Sequence, residues 1–249
     1  MPTRKTSTKK STQKETPPRK KPLRKPAPRR AITSGPLAAE RVTAILKTLD
    51  EAYPNAECAL THHSPWELLV ATILSAQCTD VRVNMVTPEL FRRFPTPQKM
   101  AKATLPELEA LIRTTGFFHN KAKSIQGAAR KIVSDFNGQV PQTLAELITI
   151  PGAARKTANV VLGVAYGKTE GVVVDTHVYR IARRLGLAKG ETPEKVEQEL
   201  MRILLQDRWI SFSHQIIHHG RAVCVARKPK CDRCNLEPLC AAKDKAWRS

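Results

Sequence analysis

Four cysteines near the end of the chain, Cys224, Cys231, Cys234 and Cys240, constrain its fold more than any other feature. Their spacing is C-x6-C-x2-C-x5-C. Four thiolates this close together can hold a tetrahedral zinc or a 4Fe–4S cluster. Structural zinc sites usually pair two short knuckles across a longer gap. Here only one pair is short, and the flanking gaps of six and five suit a larger group wrapped by a single loop. The spacing therefore favours iron–sulfur over zinc. Disulfides are the third alternative. The absence of a secretory leader argues against them, and Cys58 and Cys78, the two other cysteines, read as free thiols in a reducing compartment.

The 249 residues carry a formal net charge of +20, with a pI near 10.1. Such a field concentrates polyanions at the surface, and nucleic acid is the first expected partner. No apolar run approaches the length of a bilayer span, and no basic amphipathic helix points to a membrane surface. Residues 1–34 hold twelve Lys or Arg, six prolines and one acid, Glu15. This segment lacks the apolar surface to offset its ordering entropy. It reads as a disordered tail that tracks phosphates without sequence preference. A solubilising or targeting role for it stays open, the run Arg19-Lys20-Lys21 included.

From Leu37 onward helix signals dominate. Ser64-Pro65-Trp66-Glu67, Thr104-Leu105-Pro106-Glu107 and Thr143-Leu144-Ala145-Glu146 each read as a capping box. Asn120 opens a helical run to Phe136, stopped by Asn137-Gly138, and Thr192-Pro193-Glu194 opens another through Leu204. Trp209, Phe212, Ile216 and Ile217 space as one helix face leading into the cysteines. No β alternation stands out, and Val172-Val173-Val174 is too brief to define a sheet. The fold class is all-α.

The richest segment runs from Leu147 to Ala158. A helix to Ile150, a Pro151-Gly152 turn and a second helix starting at once leave free N–H groups pointing out of the turn. That arrangement suits a phosphate. Lys156 falls in the first turn of the second helix, where a cation is disfavoured. A surface lysine on phosphate is one explanation. The other is a neutral amine, favoured by desolvation and the positive helix end, that attacks as a nucleophile and forms a Schiff base. Asp175, in Val174-Asp175-Thr176-His177, can cap the following helix or stabilise a developing sugar cation. His177 reads either as a packed helix residue or as a groove contact.

The Pro-Gly hairpin with Lys156, the Val-Asp-Thr-His segment and the cysteine spacing, in this order, resemble the endonuclease III family of helix-hairpin-helix DNA glycosylases and abasic-site lyases. The resemblance covers about residues 37–241. It implies two helical domains with duplex DNA in the cleft between them. One is a six-helix barrel carrying the hairpin, at 58–168. The other is discontinuous, 35–57 plus 169–241, and holds a 4Fe–4S cluster on the four cysteines. Residues 242–249 form a C-terminal tail. The resemblance makes Lys156 the nucleophile and Asp175 the essential carboxylate. Ser75-Ala76-Gln77-Cys78-Thr79-Asp80 is similar to a family loop in which Gln77 fills the gap left by a flipped nucleotide while Ser75 and Asp80 line the pocket. Gly116-Phe117-Phe118-His119-Asn120-Lys121 is similar to the loop that wedges the opposite strand, with Phe117 where leucine is common. Gly152, Ala154, Arg155 and His177 would meet the DNA backbone, as would Arg227, Lys228 and Lys230 from the cysteine loop. Ala154 replaces the family's usual glycine, which puts the hairpin's approach to phosphate in question.

The activity implied is excision of oxidised pyrimidines from double-stranded DNA, with cleavage at abasic sites, by a monomer. The compartment would be the cytoplasm or nucleoid of a bacterium, or the nucleus or mitochondrion of a eukaryote. Two rivals remain at this level. An adenine-specific mismatch glycosylase shares the cysteine spacing but usually lacks a lysine at the Lys156 position and carries a further C-terminal domain. A non-enzymatic redox or DNA-binding module would need only the cysteine loop and the charge. Strand cleavage at an abasic site separates it from an enzyme.

Overall fold

The computed structural model describes residues 39–246. The basic tail and the last three residues lie outside them. Among the described residues there is no β-strand, and eleven α-helices follow one another with short connections. They are α1 (Ala39–Ala52), α2 (Pro65–Leu74), α3 (Asp80–Arg93), α4 (Pro97–Lys102), α5 (Leu105–Ile112) and α6 (Phe118–Asp135), then α7 (Leu144–Leu147), α8 (Arg155–Tyr166), α9 (Thr176–Leu185), α10 (Pro193–Ile203) and α11 (Trp209–Ala222). None is long and apolar enough to cross a membrane.

Local chemistry sets most helix starts. Ser64, Thr79, Thr96, Thr104, Thr143, Asp175 and Thr192 each accept a first-turn N–H through a side-chain oxygen. Only Thr104 forms the full reciprocal box with Glu107. At Ser64 the Glu67 carboxylate reaches one residue further back, to His63 N at 2.7 Å. At Thr143 the hydroxyl donates to Glu146 Oε2 at 2.6 Å, and α7 stops after a single turn. Helix α6 begins two residues before the expected Asn120, because Phe117 enters it from a left-handed conformation. It ends as expected, with Asn137 and Gly138 both at positive φ and Gly138 N bonded to Ile132 O at 2.9 Å.

Two hydrophobic cores result. The first is built on α2, α5, α6 and α8, with Leu68, Leu69, Leu74, Leu108, Ile125, Ile132 and Leu162 fully buried. The second gathers α1, α9, α10 and α11 around Ile45, Leu49, Val178, Leu200, Phe212 and Ile216. Each such side chain contributes about 1.5–3 kcal/mol relative to exposure. The valine run explains how the two cores join. It is an extended link in which Val173 belongs to the first core while Val172 and Val174 belong to the second. Alternate residues of an extended chain point to opposite sides. The run thus serves two cores, which is why it is wholly apolar without forming a sheet.

Candidate functional site

The hairpin between α7 and α8 exposes its backbone at Pro151 and Gly152. The first hairpin helix ends at Leu147 rather than Ile150, and residues 148–152 turn through Ala153 N bonded to Ile150 O at 3.0 Å. Ile150 and Ala153 are buried and anchor the turn, whereas Pro151 and Gly152 are exposed. Gly152 has φ +81°, and a Cβ there would sit 2.9 Å from Ser124 Cβ. Both conformation and space demand glycine at this position. Ala154 takes φ −68° and ψ 168°, an extended backbone open to any residue, and its methyl is exposed. The alanine therefore strains nothing. It makes no side-chain cap, so the first N–H groups of α8 stay free at the positive helix end. An anion fits there.

Lys156 is exposed in this uncapped turn. The desolvation expected from its position is not supplied by the protein's own packing. Arg155, expected on the DNA backbone, donates through Nε to Glu197 Oε2 at 2.7 Å, and its side chain stays 44% exposed. Asp175 does cap α9. Its Oδ1 accepts the N–H groups of His177 and Val178, both at 2.8 Å. Its Oδ2 takes no hydrogen bond among the described residues, so capping leaves one carboxylate oxygen available. His177 is half-buried and packs against α11. A Cβ on Gly220 would lie 2.6 Å from its Nδ1, and Arg180 Nη2 approaches the same atom at 3.3 Å. Burial lowers the His177 pKa, which suits a neutral ring accepting from Arg180.

The described residues contain four non-glycine positions at positive φ: Gln77, Phe117, Asn137 and Lys228. Asparagine tolerates that region at a helix end. The other three are the residues expected to enter or touch DNA. Such conformations cost of order 1–3 kcal/mol each and persist where the surroundings impose them. Gln77 is exposed on the loop between α2 and α3. Beside it, Ser75 Oγ donates to Thr72 O at 2.8 Å, and Asp80 is ion-paired with Arg221 of α11. Phe117 is 65% exposed at its loop tip, behind Gly116 at φ +71°. Lys121, which sequence reasoning left without a role, is buried and holds Thr115 O at 2.8 Å, bracing the base of that loop. His119 Nδ1 sits 2.9 Å from Glu109 Oε1.

The four C-terminal cysteines are unpaired and line one open cavity, together with Arg184, Lys230 and Lys245. Among the described residues no three His, Cys, Asp or Glu side chains converge as they would around one metal ion. Four thiols lining one cavity form a donor set that fits a metal-containing group held on sulfur. Burial pushes the Cys224 thiol up and the Cys234 thiol up to about 11, so thiolates here need a compensating cation. Cys234 Sγ lies 3.5 Å from Nε2 of His219, whose Nδ1 is 3.0 Å from Tyr53 Oη. Burial brings the His219 pKa down to about 4, so the ring is neutral. With Tyr53 donating to Nδ1, the Nε2 proton faces the sulfur. Arg227, Lys228 and Lys230 are exposed on the loop, with Lys230 Nζ donating to Ala222 O at 2.9 Å.

Sequence reasoning did not reach Glu197, Asn159, Lys121, Tyr53 or His219. The partners of Glu197, Asn159, Tyr53 and His219 lie far away in the chain, and Lys121 reaches a backbone carbonyl six residues back that no side-chain spacing marks.

Comparisons with known proteins agree with this geometry. The profile of the HhH-GPD superfamily of base excision DNA repair proteins matches residues 70–206. Endonuclease III of Synechocystis sp. is 57% identical over 201 residues, covering 81% of this chain and 92% of the relative. A solved non-covalent endonuclease III–DNA complex superposes with a TM-score of 0.79 at 40% identity, covering 82% of this chain and 96% of that one. A trapped endonuclease III–DNA covalent intermediate gives the same TM-score at 41% identity and the same coverage.

Proposed function

The chain belongs to the endonuclease III family of HhH-GPD base excision DNA repair proteins, and from that membership we propose that Lys156 is its nucleophile and Asp175 its essential carboxylate. The protein is a bifunctional DNA glycosylase and abasic-site lyase acting on DNA with damaged bases or abasic sites. The observation that carries the assignment is an exposed lysine in the uncapped first turn of α8, directly behind the Gly152 hairpin. The hairpin seats a phosphate on free N–H groups, which fixes the strand beside that amine. Oxidised pyrimidines are the damaged bases in this reading.

The target nucleotide leaves the stack at a cost of a few kcal/mol, less when the base is damaged. Gln77 occupies the gap and Phe117 wedges the opposite strand, while Ser75 and Asp80 line the pocket. Desolvated by the duplex, the Lys156 amine attacks C1′. The glycosidic bond breaks, and the base departs with the bonding pair and takes a proton. Asp175 Oδ2 stabilises the positive sugar. The C1′–O4′ bond then opens to the imine, with O4′ taking a proton. The iminium acidifies the C2′ hydrogen. Loss of that proton and departure of the 3′ phosphate complete β-elimination. Duplexes bearing an oxidised pyrimidine, an abasic site or no lesion, incubated with the protein and borohydride, test this reading. The first two should give cut strands and a covalent adduct, and the third neither.

Cys224, Cys231, Cys234 and Cys240 hold a 4Fe–4S cluster in this reading. It supplies no reaction step, but when bound it fixes the loop that presents Arg227, Lys228 and Lys230 to phosphates. Metal analysis of anaerobically purified protein should give about four irons per chain, as that cluster type requires. Stoichiometric zinc without iron would overturn the assignment.

Phe117→Ala should weaken lesion-duplex binding by about 1–3 kcal/mol, the range for removing an aromatic that stacks on a base. Thermal stability should hardly change, because the ring is mostly exposed and contributes little to the core. Titration by fluorescence anisotropy checks this, and an unchanged Kd would sink the wedge role.

A further inference from the structure

One buried carboxylate ties together the two chain segments on which the candidate catalytic residues ride. Glu197 projects from α10 and is only 5% exposed. Its Oε2 accepts from Arg155 Nε at 2.7 Å and its Oε1 from Asn159 Nδ2 at 2.9 Å. Both donors belong to α8, and Arg155 is the chain neighbour of Lys156. The third side of the junction is Gly171, four residues before Asp175. A Cβ at Gly171 would lie 2.0 Å from Glu197 Oε1 and 2.6 Å from Asn159 Nδ2, so the backbone passes directly against the pair. Helix α10 also packs on α9, the helix that Asp175 caps.

We propose that Glu197 is a positioning residue for the reaction, setting the α8 N-terminus that carries Lys156 against the 171–175 link that carries Asp175. The inference rests on the reading of those two residues given above. A buried carboxylate needs hydrogen-bond partners, and charge-assisted bonds from Arg155 and Asn159 supply one to each oxygen. The same requirement forbids Glu197 from moving without both helices following. The extended valine link also runs between the two cores, and the relative placement of Lys156 and Asp175 spans that join. Placing the charge pair inside the join fixes a distance that neither core fixes alone. It also explains why Arg155, at the hairpin, gives its Nε to a buried carboxylate although its side chain is 44% exposed.

The test uses the full-length, cluster-loaded protein and measures two quantities separately: the single-turnover rate at saturating lesion duplex, and Kd. Glu197→Gln keeps the shape and one acceptor but removes the charge. It should lower the single-turnover rate roughly 10–100-fold with Kd within about threefold of the parent, as a displacement of about 1 Å at a reacting centre does. Gly171→Ala should act in the same direction by pushing on Glu197 Oε1 without altering any charge. The double variant should be slowed by less than the product of the two single effects, because one junction is broken twice. Should Glu197→Gln fail to fold, Asn159→Ala keeps the ion pair and removes only one donor. It should still slow turnover at unchanged Kd. A parental rate in folded Glu197→Gln or Asn159→Ala protein, with stability alone reduced, would overturn the proposal. So would a raised Kd at parental rate, which would make Arg155 a simple phosphate contact. Lys156→Gln runs alongside. If it forms the borohydride adduct as the parent does, the assignment of Lys156 fails. If only Lys156→Gln is silent and the Glu197 variants react normally, the positioning role fails.

Discussion

Lys156→Gln protein is expected to bind an abasic-site duplex yet form no borohydride-stable adduct and release no base. Glutamine is one atom shorter, stays polar and has no nucleophilic amine. Loss of a covalent nucleophile costs on the order of 10⁴–10⁶-fold in rate. Binding should survive, because the hairpin offers phosphate its free backbone N–H groups and Gly152 remains in place. Folding should survive as well. Lys156 is exposed, and removing a cation from a helix N-terminus is worth about 0.3–1 kcal/mol in favour of the fold. The measurement is a trapping gel beside an anisotropy titration. A variant that traps as well as the parent would move the nucleophile elsewhere, with the N-terminal amine the first suspect.

Asp175→Asn separates two functions that share one side chain. The structure gives the cap to Oδ1, and Oδ2 takes no hydrogen bond among the described residues. Asparagine caps a helix about as well as aspartate. Stability should therefore fall only by the lost charge–dipole interaction, about 0.3–1 kcal/mol. Chemistry should suffer far more. Removing one group aimed at developing charge costs about 10²–10³-fold in rate. Asp175→Ala loses the cap too, and should lose about 0.5–2 kcal/mol of stability besides. Melting curves and single-turnover rates on the same preparations check both claims. If Asp175→Asn were destabilised while each folded molecule reacted at the parental rate, Asp175 would be a cap alone.

Much of this protein is legible along the chain, because much of it is decided within one helical turn. Thr104 and Glu107 name their own box, Asn137-Gly138 stops α6, and Pro151-Gly152 turns the hairpin. The cysteine spacing alone favoured a group larger than one ion, and the +20 charge alone pointed to nucleic acid. Lys156 stood out because a cation at a helix N-terminus contradicts the local electrostatics. Tertiary structure decided what local rules leave free. Arg155 looks like any basic residue at a DNA-facing hairpin, yet a carboxylate 42 residues away claims it. Tyr53 meets His219 across 166 residues, and Lys121 is buried although no neighbour in sequence says so. The valine run is ambiguous until two cores lie on its two sides. The left-handed backbones of Gln77 and Phe117 carry no residue preference of their own, since both types avoid that region. Caps and turns are fixed by atoms three or four residues apart. The partner of a buried charge and the conformation of a strained loop are fixed by whatever the fold packs against them.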